Sequence, residues 1–447
     1  MNSAVRFVAL AMTVLFVVVL LLVAAARLRG PTQEQQAALA LLRAAMPPVA
    51  GRDGSDAIWL LEYDVPESQR AELAKQLRAY YDAVDALALA DRNKEAQALP
   101  DPRSRLSKFP VLGDELKGVC KQRDDDCLAI VRADPAATES ALREHAPGLN
   151  AGLALANYDG FRYGLVPSSS QALPEFNSQR RLVRTHFAAL FASGRTVEAE
   201  TGLCRDIGGW RRIGGNTDTL IGSMIGAAFV RHDLELLGDM LAEQPFDSAL
   251  PADCTTALAP VADFELDLCP SMRNEFRMIA GFTTREMPAK IDPKGPGSFF
   301  LKAAFDGEHV EAVMAPSFAQ FCGKPLLRAQ RQDRSSASIG FLATKCSLFE
   351  RSGDPFGCFL AEMGSGDSFA NYVDRRTDQA AALALMRTLL WLREQAPDPA
   401  TWPEKLRDRP PSLGLRREPR ISADGKHLSI ALFERHPEDS FDLAIRR

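Results

Sequence analysis

The chain has 447 residues, 46% of them apolar and 25% charged, with a net charge of -5. That length exceeds what one hydrophobic core usually serves, so two or three packed modules or a helical array are expected. A slightly acidic body has no general attraction for phosphate backbones, which argues against nucleic acid as a partner.

Phe7 to Ala26 is a run of 20 uncharged residues. At 1.5 Å per residue a helix of that length matches the roughly 30 Å hydrocarbon core of a bilayer. Ala24 and Ala26 offer a small-x-small cleavage site, but the run is longer than the apolar region of a cleavable signal, so a retained anchor is expected. Arg6 on one side balances Arg27 and Arg29 on the other, and charge alone leaves the orientation open. Cysteine usage decides it.

Eight cysteines follow the anchor, an even number without zinc-type spacing, and such a set fits an oxidising compartment. Cys120 and Cys127 in "CKQRDDDC" are expected to close a short loop, and Cys254 with Cys269 is the next local pair. Cys322, Cys346 and Cys358 cluster in sequence. The competing reading is eight reduced, buried cysteines packed as small hydrophobes. The expectation is a single-pass inner-membrane protein, anchored through residues 7–26, with its body in the periplasm.

Residues 31–400 read as a helical body. In "PESQRAELAKQLRAYYDAVDALALA", Leu73, Leu77, Tyr80, Val84 and Leu87 recur at helical spacing along one face, with Pro66 placed in the first turn. The same period runs through "ATESALREHA", "RLVRTHFAALFA", "DLELLGDMLAE" and "QAALALMRTLLWLRE". Proline and glycine collect at 99–110, 165–176 and 290–300, and the second or third of these is the expected joint between two subdomains. No fixed-period repeat is present, so the array is irregular. Within 401–447, the basic run of Lys405, Arg407, Arg409, Arg416, Arg417 and Arg420 is interrupted by acids and reads as a solvated face. Alternation in the last thirty or so residues, with Asp424-Gly425 at a turn, predicts an antiparallel β meander. Its inward side is Ile421, Leu428, Ile430, Leu432, Leu443 and Ile445. The fold class expected is mainly α with a small C-terminal sheet.

Candidate chemistry is sparse. "GGWRRIGGNTD", Gly208 to Asp218, surrounds Trp210, Arg211 and Arg212 with glycines and offers exposed amides and a stacking ring to an anionic or sugar-like ligand. It lacks the ending of a phosphate loop. The structural alternative is a helix end, a connector and a new helix capped by Asn216 or Thr217, with Trp210 wedged between the two helices. His186, on a helix with Arg180, Arg181 and Arg184, is the histidine best placed for a ligand. "GEHVEA" points Glu308, His309 and Glu311 in different directions, against a metal. "GSMIG" lacks the central serine of a nucleophile elbow and reads as helix packing, and "GSGDSF" lacks a preceding strand. "DDDC" lacks the alternation and glycine of a calcium loop. The catalytic residues, if the chain is an enzyme, stay unidentified, and no cofactor or metal is expected.

The blocks "DDDCLAIVRADP" and "GWRRIGGNTDTLIGSMIGAA", and the ending in which a long helix reaches "TWPEKL" and then strands, resemble membrane-anchored envelope proteins of Gram-negative bacteria. That family carries no functional residues to transfer. The ending also resembles pseudopilin-like proteins, from which the chain departs in lacking the pilin-type glutamate and in the size of its body. The function expected is binding of a protein partner in the envelope, in a scaffold, immunity or inhibitor role. The rival is a hydrolase acting on envelope glycans or lipids.

Overall fold

The computed structural model describes residues 30–446 apart from 88–98, 114–115, 122–125, 167, 169–171, 177–178, 288–304, 397, 415 and 434–438, together with Leu10, Met12–Val14, Val17, Val18 and Ala25. The expected span Phe7–Ala26 therefore lies mostly outside the described residues. Its described members are helical, and Leu10, Met12, Val14, Val17 and Val18 are exposed. Among the described residues no helix is long and apolar enough to cross a membrane.

The protein is mainly helical and ends in a small antiparallel sheet. Its principal helices are α1 (Gln33–Arg43), α2 (Glu67–Ala86), α3 (Arg180–Ala192), α4 (Thr196–Gly215), α5 (Leu220–Ala242), α6 (Cys269–Gly281), α7 (Gly307–Ala319), α8 (Pro355–Met363) and α9 (Ala370–Gln395). Their ends follow capping chemistry. Thr32 and Gln35 form a reciprocal capping box at α1. Pro66 lies at the N-cap of α2 rather than inside its first turn. Thr219 caps α5 by accepting the Gly222 N–H, which corrects the expected Asn216 or Thr217 cap. The correction has a local cause: Thr217 Oγ1 instead accepts the Thr219 N–H, and Asn216 ends α4.

Buried apolar residues form two cores. The first gathers residues from Ile58 to Leu258, the second half of α9 and the C-terminal sheet; the second gathers α1, α6, α7, α8 and Val373 at the start of α9. Residues on both sides of 165–176 enter the same core, and 290–300 lies outside the described residues. The chain passes between cores along α5 and α9, each of which contributes to both.

The first core turns on the α4–α5 pair. Trp210 sits edge-on against Phe229 at 4.6 Å, and the helices close to backbone contact at Gly214 and Gly226. A Cβ at Gly226 would meet Gly214 Cα at 2.7 Å, so only glycine permits this approach. The glycine-rich stretch is therefore the last turns of α4, built for packing.

Strands β1 (Arg420–Ile421), β2 (His427–Ala431) and β3 (Ser440–Ala444) pair in the order β1-β2-β3. Leu428 faces Leu443 and Ile430 faces Phe441 across β2 and β3. These four, with Leu432 and Ile445, bury the inner side, while Ile421 is half-buried against it. Gly425 turns the first hairpin at φ 72°. Phe441 is the inward residue the alternation missed.

All eight cysteines pair: Cys120–Cys127, Cys204–Cys254, Cys269–Cys322 and Cys346–Cys358. The expected Cys254–Cys269 pair is corrected, because those two residues serve different cores. Cys254, on the short helix Ala252–Ala257, packs on α4 beside Cys204, whereas Cys269 opens α6 in the second core.

Candidate functional site

The residues singled out in sequence are mostly structural. Trp210 is buried against Phe229. Arg211 is buried and uses every N–H it has: Nε and Nη2 hold both carboxylate oxygens of Glu265 at 2.7 Å, while Nη1 reaches the Ala257 and Ala259 carbonyls and Nη2 that of Pro260. No donor is left for a ligand. Arg212 donates to the carbonyls of Ala156 and Tyr158 and pairs with Asp159 at 3.0 Å. Trp210 and Arg211 are thus occupied in holding α4 against its neighbours, and Arg212, partly exposed, contributes to the same packing.

His186 keeps a surface role. It is half-buried beside Phe187, burial lowers its pKa, and its imidazole is neutral at pH 7. It lines a cleft of about 480 Å³ with Val131, Leu142, Ala189 and Leu190. The cations at its edge are engaged elsewhere, Arg132 with Glu243 and Arg195 with Glu198. In "GEHVEA", Glu311 pairs with Arg43 of α1. Ser317 Oγ and Ser365 Oγ accept N–H groups around "GSGDSF", which forms a 3-10 turn. Asp126 caps the helix Cys127–Ala133, and Asp124 and Asp125 lie outside the described residues. Among the described residues no group of three or more His, Cys, Asp or Glu side chains is placed to hold a metal.

A second, larger cleft has a different character. Of about 770 Å³, it lies between the loop Phe246–Leu250, the segment Cys254–Pro260 and the face of α9 carrying Arg387, Leu390 and Arg393. Its size suits a small ligand or a few residues of peptide. Arg393 is buried, donates to the carbonyls of Leu241, Gln244 and Pro245, and lies 4.9 Å from the centre of the Phe246 ring, against which Arg446, at 5.0 Å, and Trp402 also pack. Arg387 is half-buried. It donates Nη2 to the Leu413 carbonyl, its buried Nε has no hydrogen bond, and no carboxylate pairs with it among the described residues. Burial, then repulsion from Arg211, lowers its pKa.

The field behind this wall is positive. Arg211, Arg376 and Arg387 are balanced by the single carboxylate of Glu265. Arg376 is fully buried, ends on the carbonyls of Glu265 and Ser223, and burial lowers its pKa to about 10. Asp247 and Glu394 stand exposed at the rim, and buried Glu200, hydrogen-bonded to Gln244, acts on Arg393 from behind. A guanidinium in an apolar wall with spare donors recognises an anion, and a carboxylate matches its fork best.

Two other arginines pair with buried carboxylates. Arg180 bridges Asp206 and Asp233 beneath Phe229, and Arg417 ties the C-terminal segment to Asp333 and Asp378. These are structural pairs.

Sequence reading missed the α9 cleft because arginine in a helix ordinarily reads as solvent-facing. One signal was present: in "ALMRTLLWLRE", Arg387 and Arg393 interrupt an apolar stripe. The site is thus a helix-lined, positively backed cleft in a disulfide-stapled helical protein. No protein-family model, curated protein or solved structure matches the chain.

Proposed function

We propose that the protein is a membrane-tethered binding protein of the cell envelope whose α9 cleft receives an apolar segment, ending in a carboxylate, of a partner protein. The observation that carries this reading is Arg387, a cation without a carboxylate on the apolar wall of the cleft. Leu250, Leu258 and Leu390 offer the apolar surface, and Ser248, Thr255, Asp247 and Glu394 suit the amides of a peptide. A fatty acid would leave those rim groups unused. The tether is supported by the uncharged run Phe7–Ala26 and the exposed apolar side chains of its described members. Four disulfides support a periplasmic body. An immunity or inhibitor role is a narrower form of the same reading and rests on compartment alone.

The test is a titration of the full chain in detergent with short apolar peptides in free-acid and amidated forms. The acid form is expected to bind about tenfold tighter, a difference of roughly 1.4 kcal/mol. Arg387→Gln is expected to erase that difference. Equal binding of the two forms by the unaltered protein overturns the reading.

The hydrolase alternative rests on His186, a neutral imidazole at an apolar cleft. Turnover of an envelope glycan or lipid that His186→Ala abolishes would favour it.

A further inference from the structure

The hairpin formed by the short helix Leu348–Gly353 and α8 is stapled by Cys346–Cys358, with its Cα atoms 5.8 Å apart. Arg351 pairs with Glu362 across it, and the Cys346 N–H donates to the same carboxylate. This stiff unit turns apolar side chains outward. Leu348 is 88% exposed, Phe359 55% and Met363 62%. Leu348 and Phe359 each lie within two residues of the disulfide, and Phe359 and Met363, one helical turn apart, share a face of α8. A soluble surface gains nothing from such a cluster, and contiguous exposed apolar area marks an interaction site.

The place where the described body begins identifies what covers it. Gly30, Pro31 and Thr32 line a recess of about 290 Å³ with His309, Ser347 and Glu350. Gln35, one turn on, donates to Glu350 at 3.1 Å. The body therefore starts against the first turn of the hairpin. Only three residues, Arg27, Leu28 and Arg29, separate Gly30 from Ala26, the end of the uncharged run. Fully extended, the four Cα steps from Ala26 to Gly30 reach at most about 14 Å. With the run in a bilayer, Gly30, and with it the recess it shares with Ser347 and Glu350, stands within about 14 Å of the hydrocarbon.

We propose that Leu348, Phe359 and Met363 insert into the membrane surface, so that the hairpin is a second contact that fixes the orientation of the body on the bilayer. This rests on the proposed anchor. Inserted aromatic and aliphatic side chains at headgroup depth, with exposed Lys345 beside them, fit an interfacial contact with anionic lipid.

The test uses the full chain in vesicles of phosphatidylethanolamine and phosphatidylglycerol, with and without brominated lipid. Leu348→Trp and Phe359→Trp report the hairpin. Val197→Trp, at an exposed position in the first turn of α4 in the other core, is the control. Flotation of the protein with the vesicles, with brominated lipid roughly halving the added emission of both hairpin variants and sparing Val197→Trp, is the expected result. Flotation without selective quenching overturns the hairpin contact and leaves the anchor standing. Failure to float overturns the anchor, and the hairpin contact with it.

Discussion

Glu275 of α6 offers the sharpest energetic test of the fold. Its carboxylate accepts the Leu220 N–H at the first turn of α5, yet burial outweighs that bond and raises its pKa from an ordinary 4.5 to about 7. Between those values the folded protein holds a proton that the unfolded chain releases. Stability contributed by the neutral acid is therefore complete below pH 4.5 and is lost as pH rises through 7. At 1.36 kcal/mol per pH unit the loss amounts to about 3 kcal/mol. Glu275→Gln keeps an oxygen for Leu220 and removes the charge. Urea unfolding of the full chain in detergent, followed by tryptophan fluorescence from pH 5 to 8, measures the difference. The variant should be more stable by about 3 kcal/mol at pH 8, with the difference shrinking to about 1 kcal/mol at pH 5. His186, whose pKa is lowered by burial, contributes with the opposite sign, its stability being lost as pH falls below 6.5. It is common to both proteins and cancels. A difference between them that does not vary with pH refutes the reasoning.

Further outcomes follow from packing and connectivity. Arg211→Ala leaves the Glu265 carboxylate buried without its partner and should cost about 3–5 kcal/mol, seen as a large drop in the urea midpoint. Arg211→Lys should recover little of it, because an ammonium cannot match a bidentate carboxylate and three carbonyls at once. Gly226→Ala drives a Cβ to 2.7 Å from Gly214 Cα and should destabilise by roughly 1–3 kcal/mol, although alanine favours helix; an unchanged thermal midpoint would contradict the close crossing. Replacing Cys204 and Cys254 by serine opens a loop with a sequence separation of 50, against 7 for Cys120–Cys127, and chain entropy alone makes the first change costlier by roughly 1.5 kcal/mol in paired unfolding curves.

Sequence periodicity reached much of the fold and little of the site, for reasons visible in particular residues. The α3, α5 and α9 segments announce themselves because their apolar positions repeat at 3.6 residues, and β2 and β3 because theirs repeat at two. Cys254 misled because nearness in sequence is a poor guide when the chain changes core between Leu258 and Leu268. The glycines around Trp210 suggested a ligand loop, but glycine also permits backbone contact between helices, and Gly214 with Gly226 uses it so. Arg211 has the right chemistry for an anion, and Glu265, 54 residues on, takes it. Arg387 looks no different in sequence from Arg211. What separates them is whether a carboxylate arrives in three dimensions, which no local pattern encodes.

The proposal that the α9 cleft holds the carboxyl end of a partner is tested most directly in intact cells. A photoreactive benzoylphenylalanine at Leu250, in the cleft wall, is compared with the same group at Val197. One crosslinked protein is expected at Leu250, joined through its C-terminal residues, absent at Val197 and lost when Arg387→Glu is added. Crosslinks that ignore Arg387→Glu, or that map to the interior of the captured chain, would contradict it.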